Sequence, residues 1–180
     1  MFKIKFNTLM AIVMMLAFSL FCAGNSYAVQ IESMQGKQFV SVYGNINNSS
    51  ADVDILMTMI GGTFGMFFTD NIEVNGTLVL MSVDADGDEA TTYSILGRCN
   101  YNFYKSGLTF IPYAGGTLGM TYAEFGPDSD SSLSYGVQGG IKYFMSEETS
   151  FNFELGYLHS EIESSDVDSL IFSFGISYYF

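Results

Sequence analysis

The sequence predicts an all-β chain, an eight-stranded antiparallel up-and-down transmembrane β-barrel, and three observations carry that expectation. Apolar residues recur at every second position through most of the chain, the links between these segments alternate short and long, and the apolar parity carries no charge. Composition agrees. Of 180 residues, 48% are hydrophobic and 16% aromatic, while only 14% are charged, against about 25% in an average soluble domain. There are 19 glycines and 2 prolines, and beyond residue 28 no segment approaches the roughly 20 apolar residues of a membrane-spanning helix.

The first 28 residues read as an export signal. Lys3 and Lys5 precede an apolar stretch over 9–23, broken only by Ser19, and Ser26-Tyr27-Ala28 places small residues at −3 and −1 of a cleavage after Ala28. Residues 29–180 are then expected to form one barrel domain. Losing Lys3 and Lys5 takes the formal net charge from −13 to −15, which argues against a nucleic-acid partner because phosphate binding needs basic patches. A lipoprotein acylated at Cys22 is disfavoured by the bulky Phe21 before it. Cys99 is the other cysteine, so the processed chain has no intramolecular disulfide, and Cys99 reads as a small apolar side chain rather than a reactive thiol.

The strands follow in order. The first two are expected over 38–46, where the outward parity is ambiguous, and 57–68, with Ile60, Phe64, Met66 and Phe68 on the apolar side. Between 72 and 82, Ile72, Val74, Gly76, Leu78 and Leu80 share one parity, while Glu73, Asn75 and Thr77 share the other. Tyr93, Ile95, Gly97, Cys99, Tyr101 and Phe103 repeat the pattern, as do Phe110 to Tyr122 by even numbers and Tyr135 to Tyr143 by odd ones. Phe151, Phe153, Leu155 and Tyr157 form the seventh apolar face, and Leu170, Phe172, Phe174, Ile176, Tyr178 and Phe180 the eighth. Tight turns are expected near 68–72, 103–108 and 145–151, and longer polar loops at 47–56, 84–90, 123–132 and 160–168; short links at one end and long at the other suit a barrel in an outer membrane.

A soluble barrel with its apolar face turned inward is the alternative. Its water-facing side would need to be about 25–35% charged. The polar parity here carries mainly Ser, Thr, Asn and Gly, with Glu73, Arg98, Lys142 and Glu154 as the clear charges, so the apolar parity is expected to meet lipid. Aromatics near both strand ends, Tyr93, Tyr122, Tyr135 and Tyr157 on one side and Phe68, Phe103, Phe110, Tyr143, Phe151 and Phe180 on the other, fit two interfacial belts.

The closing residues Gly175-Ile176-Ser177-Tyr178-Tyr179-Phe180 resemble the C-terminal assembly signal of outer-membrane proteins, with Gly175, Tyr178 and Phe180 at the matching positions; Phe174 stands where a polar residue is usual. The segment Pro112-Tyr113-Ala114-Gly115-Gly116-Thr117-Leu118-Gly119 is similar to the Pro-Tyr, Gly-spaced strand of the outer-membrane β-barrel domain family, with Thr117 where a glycine is frequent. In length and layout the chain resembles the small OmpA/OmpX-type barrels. The resemblance implies a monomer in a Gram-negative outer membrane, contact with its lipid and lipopolysaccharide, and insertion by the barrel-assembly machinery through the last strand. It implies no cofactor.

The inward charges are the candidate site. If the hairpin at 84–89 sets the register, Asn75 faces Arg98 with Glu73 one diagonal step away, and across 146–149 Lys142 falls near Glu154. The expected arrangement is Glu73 with Arg98 and Lys142 with Glu154, plugging a narrow lumen; four separately hydrated side chains in a wet lumen remain the alternative. Thirteen carboxylates fall on the expected long loops, Asp52, Asp54, Asp84, Asp86, Asp88, Glu89, Glu124, Asp128, Asp130, Glu161, Glu163, Asp166 and Asp168. They serve solvation, or else attract divalent cations or basic partners. Asp84-Ala85-Asp86-Gly87-Asp88-Glu89 lacks the spacing of a calcium loop, which needs glycine sixth and a carboxylate twelfth. His159 beside Ser160 is adjacency rather than a catalytic pair. The chain is therefore expected to be no enzyme: a structural or surface-interaction barrel, with a small ion or solute channel and a surface adhesin or immune-evasion protein as alternatives.

Overall fold

A computed structural model describes residues 29, 31–50, 54–85, 88–125, 128–162 and 165–180. The expected leader lies outside the described residues, as do the side chains of 46–57, 83–90, 123–130 and 162–167. Eight strands, β1 (Gln38–Ser50), β2 (Asp54–Phe67), β3 (Ile72–Ala85), β4 (Asp88–Asn102), β5 (Phe110–Phe125), β6 (Asp128–Ser146), β7 (Thr149–Ile162) and β8 (Ser165–Tyr179), close into one barrel in sequence order. Every neighbour pair is antiparallel, including β1 with β8.

Side-chain alternation sorts the two faces as period two requires. The even residues of β3, β5 and β8 and the odd residues of β4, β6 and β7 point outward, where Leu78, Ile95, Leu118, Val137, Leu155 and Phe174 are all exposed. The parity left open for β1 is settled: Val40 and Val42 face out, while Phe39 is buried inside. The inward row carries Thr63, Thr77, Asn75, Ser94, Asn100, Gln138 and Ser173, all buried. An apolar exterior over a polar interior is the reverse of a water-soluble barrel, because lipid rather than water is the outer solvent.

Two expectations are corrected. The segments expected as long polar loops are mostly strand: pairing continues to Ser50↔Asp54, Ala85↔Asp88, Phe125↔Asp128 and Ile162↔Ser165. Main-chain pairing needs no apolar face, so it persists where hydrophobic alternation fades in the sequence. The interior is also not polar throughout. At the end holding Ile31 and the C-terminal Phe180, Phe39, Phe67, Ile111, Phe144 and Tyr179 turn inward and pack with Ile31 and Met34 from the segment before β1.

That segment is fixed from several sides. Asp70 Oδ1, in the β2–β3 turn, accepts from Ser33 Oγ (2.7 Å) and from the main-chain N–H groups of Met34 (2.7 Å) and Gln35 (3.0 Å). Tyr104 donates its hydroxyl to the Ile31 carbonyl at 2.8 Å. Gly36, at φ 82°, turns the chain so that its N–H reaches the Phe67 carbonyl at 2.9 Å and β1 can begin; an L side chain is strained there.

Candidate functional site in the barrel lumen

Above the apolar floor lies the first charged layer. Lys142 on β6 donates its ammonium to Glu73 Oε2 on β3, and both side chains are buried. Glu73 Oε1 accepts from Asn75 Nδ2 (2.8 Å) and Asn100 Nδ2 (3.1 Å), and Oε2 from Asn102 Nδ2 (3.2 Å). A buried carboxylate needs such a set, since each lone pair withdrawn from water must find a donor. The ammonium also lies over the rings of Phe67 (4.8 Å to the centroid) and Tyr113 (4.9 Å), which offer it the negative faces of their π systems.

The second layer is one step further along the axis. Arg98 Nη2 on β4 bonds Glu154 Oε2 on β7 at 2.6 Å, and the Tyr113 hydroxyl donates to the same oxygen at 2.7 Å. Asn100 ties the layers to the wall, accepting from Gln138 Nε2 at 2.7 Å, while Gln138 Oε1 accepts from Thr117 Oγ1, also at 2.7 Å. A cavity of about 50 Å³ remains between the layers and the β1–β8 wall, lined by Tyr43, Arg98, Glu154, Ser173, Phe174 and Gly175 among others.

All four residues singled out in the sequence lie in this cluster, but with partners exchanged: Glu73 meets Lys142 rather than Arg98, and Glu154 meets Arg98 rather than Lys142. The β3–β4 register is as expected, with Asn75 opposite Arg98 and Glu73 two pairs along, opposite Asn100, whereas across β6–β7 Lys142 stands opposite Asn152 and Glu154 opposite Gly140. Ladder arithmetic compares adjacent strands only. In so narrow a cylinder a long side chain crosses the axis, so β3 reaches β6 and β4 reaches β7.

The apolar floor was not read from the sequence. Its signal was present: Phe39, Phe67, Ile111, Phe144 and Tyr179 all break the polar parity at the terminal end of their strands.

Elsewhere, His159 and Ser160 point to opposite faces. His159 stacks beside Tyr135 (5.1 Å between centroids) with Nδ1 2.8 Å from Asp168 Oδ1, whereas Ser160 bonds Ser134 inside at 2.8 Å. Cys99 is exposed on the apolar exterior. Among the described residues no cluster of three metal-ligating side chains forms; of the thirteen acidic residues only Glu161 and Asp168 have described side chains, so the Asp84–Glu89 stretch is not placed. Gly175 sits where β8 crosses Tyr43, and a Cβ there would lie 2.5 Å from the Val42 carbonyl oxygen. Tyr178 and Phe180 face outward beside it.

The chain is thus a closed eight-stranded antiparallel cylinder with an apolar outer wall and a charged centre. The family model described as outer membrane protein beta-barrel domain matches residues 14–180. The chain belongs to that family. It is an outer-membrane β-barrel protein, and the expectations of fold and location drawn from the sequence hold. Among solved structures, Neisserial surface protein A superposes with a TM-score of 0.64 at 17% identity, over 80% of this chain and 96% of that one. The N-terminal β-barrel domain of Pseudomonas aeruginosa OprF gives 0.56 at 18% identity, over 83% and 100%. The Yersinia pestis outer membrane protein Ail gives 0.54 at 17% identity, over 81% and 100%. At these identities the likeness is one of fold. No curated protein matches the chain by sequence.

Proposed function

We propose that this chain is a monomeric outer-membrane barrel whose lumen is closed along its axis, and that its role is structural or exercised at its outer surface. Both termini lie on the periplasmic side, residues 1–28 are removed on export, and the last strand, with Gly175, Tyr178 and Phe180, addresses the barrel to its assembly machinery. The supporting observation is the stack inside the cylinder: an apolar floor, the Lys142–Glu73 layer and the Arg98–Glu154 layer, with about 50 Å³ left beside them. That space takes roughly three to five water molecules, too little for a hydrated solute to pass. His159 and Ser160 face opposite sides of the wall, so their adjacency makes no nucleophile–base pair.

Single-channel recording of the refolded protein in planar bilayers tests the proposal. Wild type is expected to give no stepwise current, and Arg98→Ala, which frees Glu154 and thins the second layer, is expected to leak. Stable openings in wild type, with cation preference, would instead favour the small channel.

Surface interaction is favoured by strand length. The strands run 13 to 19 residues, while about 9–11 tilted residues cross a bilayer, so the paired hairpins stand well clear of the membrane at the end richest in carboxylates. Lipopolysaccharide is the partner such a rim meets first. Deleting residues 123–132 or 160–168 is expected to abolish any surface binding while heat-modifiable gel mobility survives.

A further inference from the structure

The ladder that closes the barrel is its shortest. β1 and β8 pair from Phe39↔Tyr179 to Gly44↔Phe174, six residue pairs, although β1 continues to Ser50 and β8 starts at Ser165. Every other ladder has at least twelve pairs. Where the next pair would fall, the Asn45 side chain donates Nδ2 to the Phe172 carbonyl at 2.6 Å, a side chain standing in for a main-chain bond. Past that contact the described residues show no pairing between the two strands.

The parted edges lie at membrane depth. Phe172 and Leu170 face outward, Leu170 is 75% exposed, and it pairs with Tyr157 of the outer aromatic belt. Free main-chain N–H and C=O groups facing hydrocarbon cost several kcal/mol each, so this edge needs an occupant or a wet opening behind it.

The lumen behind the edge is two-sided. On the strands flanking the seam, inward positions carry Leu158 (β7), Ile171 (β8), Met59 (β2) and Met81 (β3), with Asn45 opposite Met59 and Gly156 opposite Ile171 leaving room beside it. The far wall is hydroxylic and self-bonded: Ser94 with Thr121 at 2.9 Å, Ser134 with Thr121 at 2.7 Å, Ser134 with Ser160 at 2.8 Å. The Arg98–Glu154 layer forms the floor, and above it the inward Leu158, Ile171 and Met81 are only half-buried.

We propose that the wall opens sideways between β1 and β8 in its outer half and admits an acyl chain of a lipid from the surrounding leaflet. The chain lodges between Leu158 and Ile171 on one side and Met59 and Met81 on the other. Asn45 latches the lower end of the opening. Outward Phe172 and inward Ile171 adjoin along the β8 edge, and an acyl ester brings carbonyl oxygens that accept from freed N–H groups of the edge. The inference rests on the membrane orientation proposed above but not on axial closure, because the opening leads sideways above the charged layer.

The chain has no tryptophan, so a single introduced one is a clean reporter. Ile171→Trp (inward) and Phe172→Trp (outward) are refolded into vesicles of phospholipid brominated along its acyl chains. The inward reporter is expected to be quenched at least half as strongly as the outward one. Joining Asn45→Cys to Ser173→Cys by oxidation in a Cys22→Ser, Cys99→Ser background is expected to cut inward quenching more than twofold, leave outward quenching unchanged, and reverse on reduction. Leu158→Trp replaces Ile171→Trp if gel mobility shows that the latter does not refold. An inward reporter dark to brominated lipid but quenched by acrylamide, or quenching that the cross-link does not alter, overturns the proposal. Axial current in the unmodified protein would refute closure and leave this result standing.

Discussion

Replacing Lys142 by methionine keeps most of the side chain's length and removes its charge, leaving the Glu73 carboxylate at 2% exposure without a counter-ion. Breaking a buried pair from one side costs about 3–5 kcal/mol. Three amide donors, from Asn75, Asn100 and Asn102, still bond the carboxylate, which places the expected loss near the lower figure, about 3 kcal/mol, or roughly a hundredfold in the folding equilibrium at 1.4 kcal/mol per decade. Glu73→Gln alone strands the ammonium among Phe39, Phe67 and Tyr113 and is expected to cost a similar amount. The double variant removes both charges and is expected to lie within about 1 kcal/mol of wild type, so the two losses do not add. Urea titration in vesicles, followed by heat-modifiable gel mobility and tyrosine fluorescence, reads all three. Single losses below about 1 kcal/mol, or a double loss equal to their sum, would show that the pair does not hold the lumen together.

Three further outcomes are expected. The Asp70 carboxylate is held below its usual range by the Ser33 hydroxyl first and then by the Met34 and Gln35 N–H groups. Its latch on the N-terminal segment is therefore complete above the unfolded value of about 4 and is lost as pH falls through the lower folded value; at neutral pH, Asp70→Asn should speed hydrogen exchange at Met34 and Gln35. Gly175→Ala presses a methyl against the Val42 carbonyl oxygen and should cost about 1–3 kcal/mol, visible as reduced refolding yield, whereas Gly62→Ala meets nothing within 4 Å and should refold normally. Leu78→Lys on the lipid face should cost about 2–4 kcal/mol near mid-bilayer, and the same change at Ser134, inside, would test whether it is the face rather than the residue that decides.

The cylinder was legible because its two solvents differ so sharply. Between Ile72 and Leu78 the even positions facing lipid carry no polar side chain and the odd ones facing the lumen are Glu73, Asn75 and Thr77, so sequence alone places that strand and its faces. The outer hairpins were not legible as strand. Around Asp84 and Asp130 the sequence is rich in Asp, Gly and Ser, and main-chain pairing leaves no mark on composition. Site membership was readable from charge on the inward parity, since Glu73, Arg98, Lys142 and Glu154 are costly in any other direction. Partner choice was not, because Arg98 and Glu154 meet across the axis at a distance set by barrel radius and strand tilt. The floor escaped notice for a related reason: Phe144 and Tyr179 look like interfacial aromatics in sequence, and only closure shows that they point inward onto Met34.

Cys99 supplies the most direct measurement of which face meets lipid. It lies outward on β4, three residues before the strand's Asn102 end, paired with Val74 and Gly116. In a Cys22→Ser background, folded protein in vesicles should resist a charged, water-soluble maleimide and be labelled fully once urea unfolds it. Rapid labelling of the folded barrel would put Cys99 in water and contradict the orientation assigned to every strand.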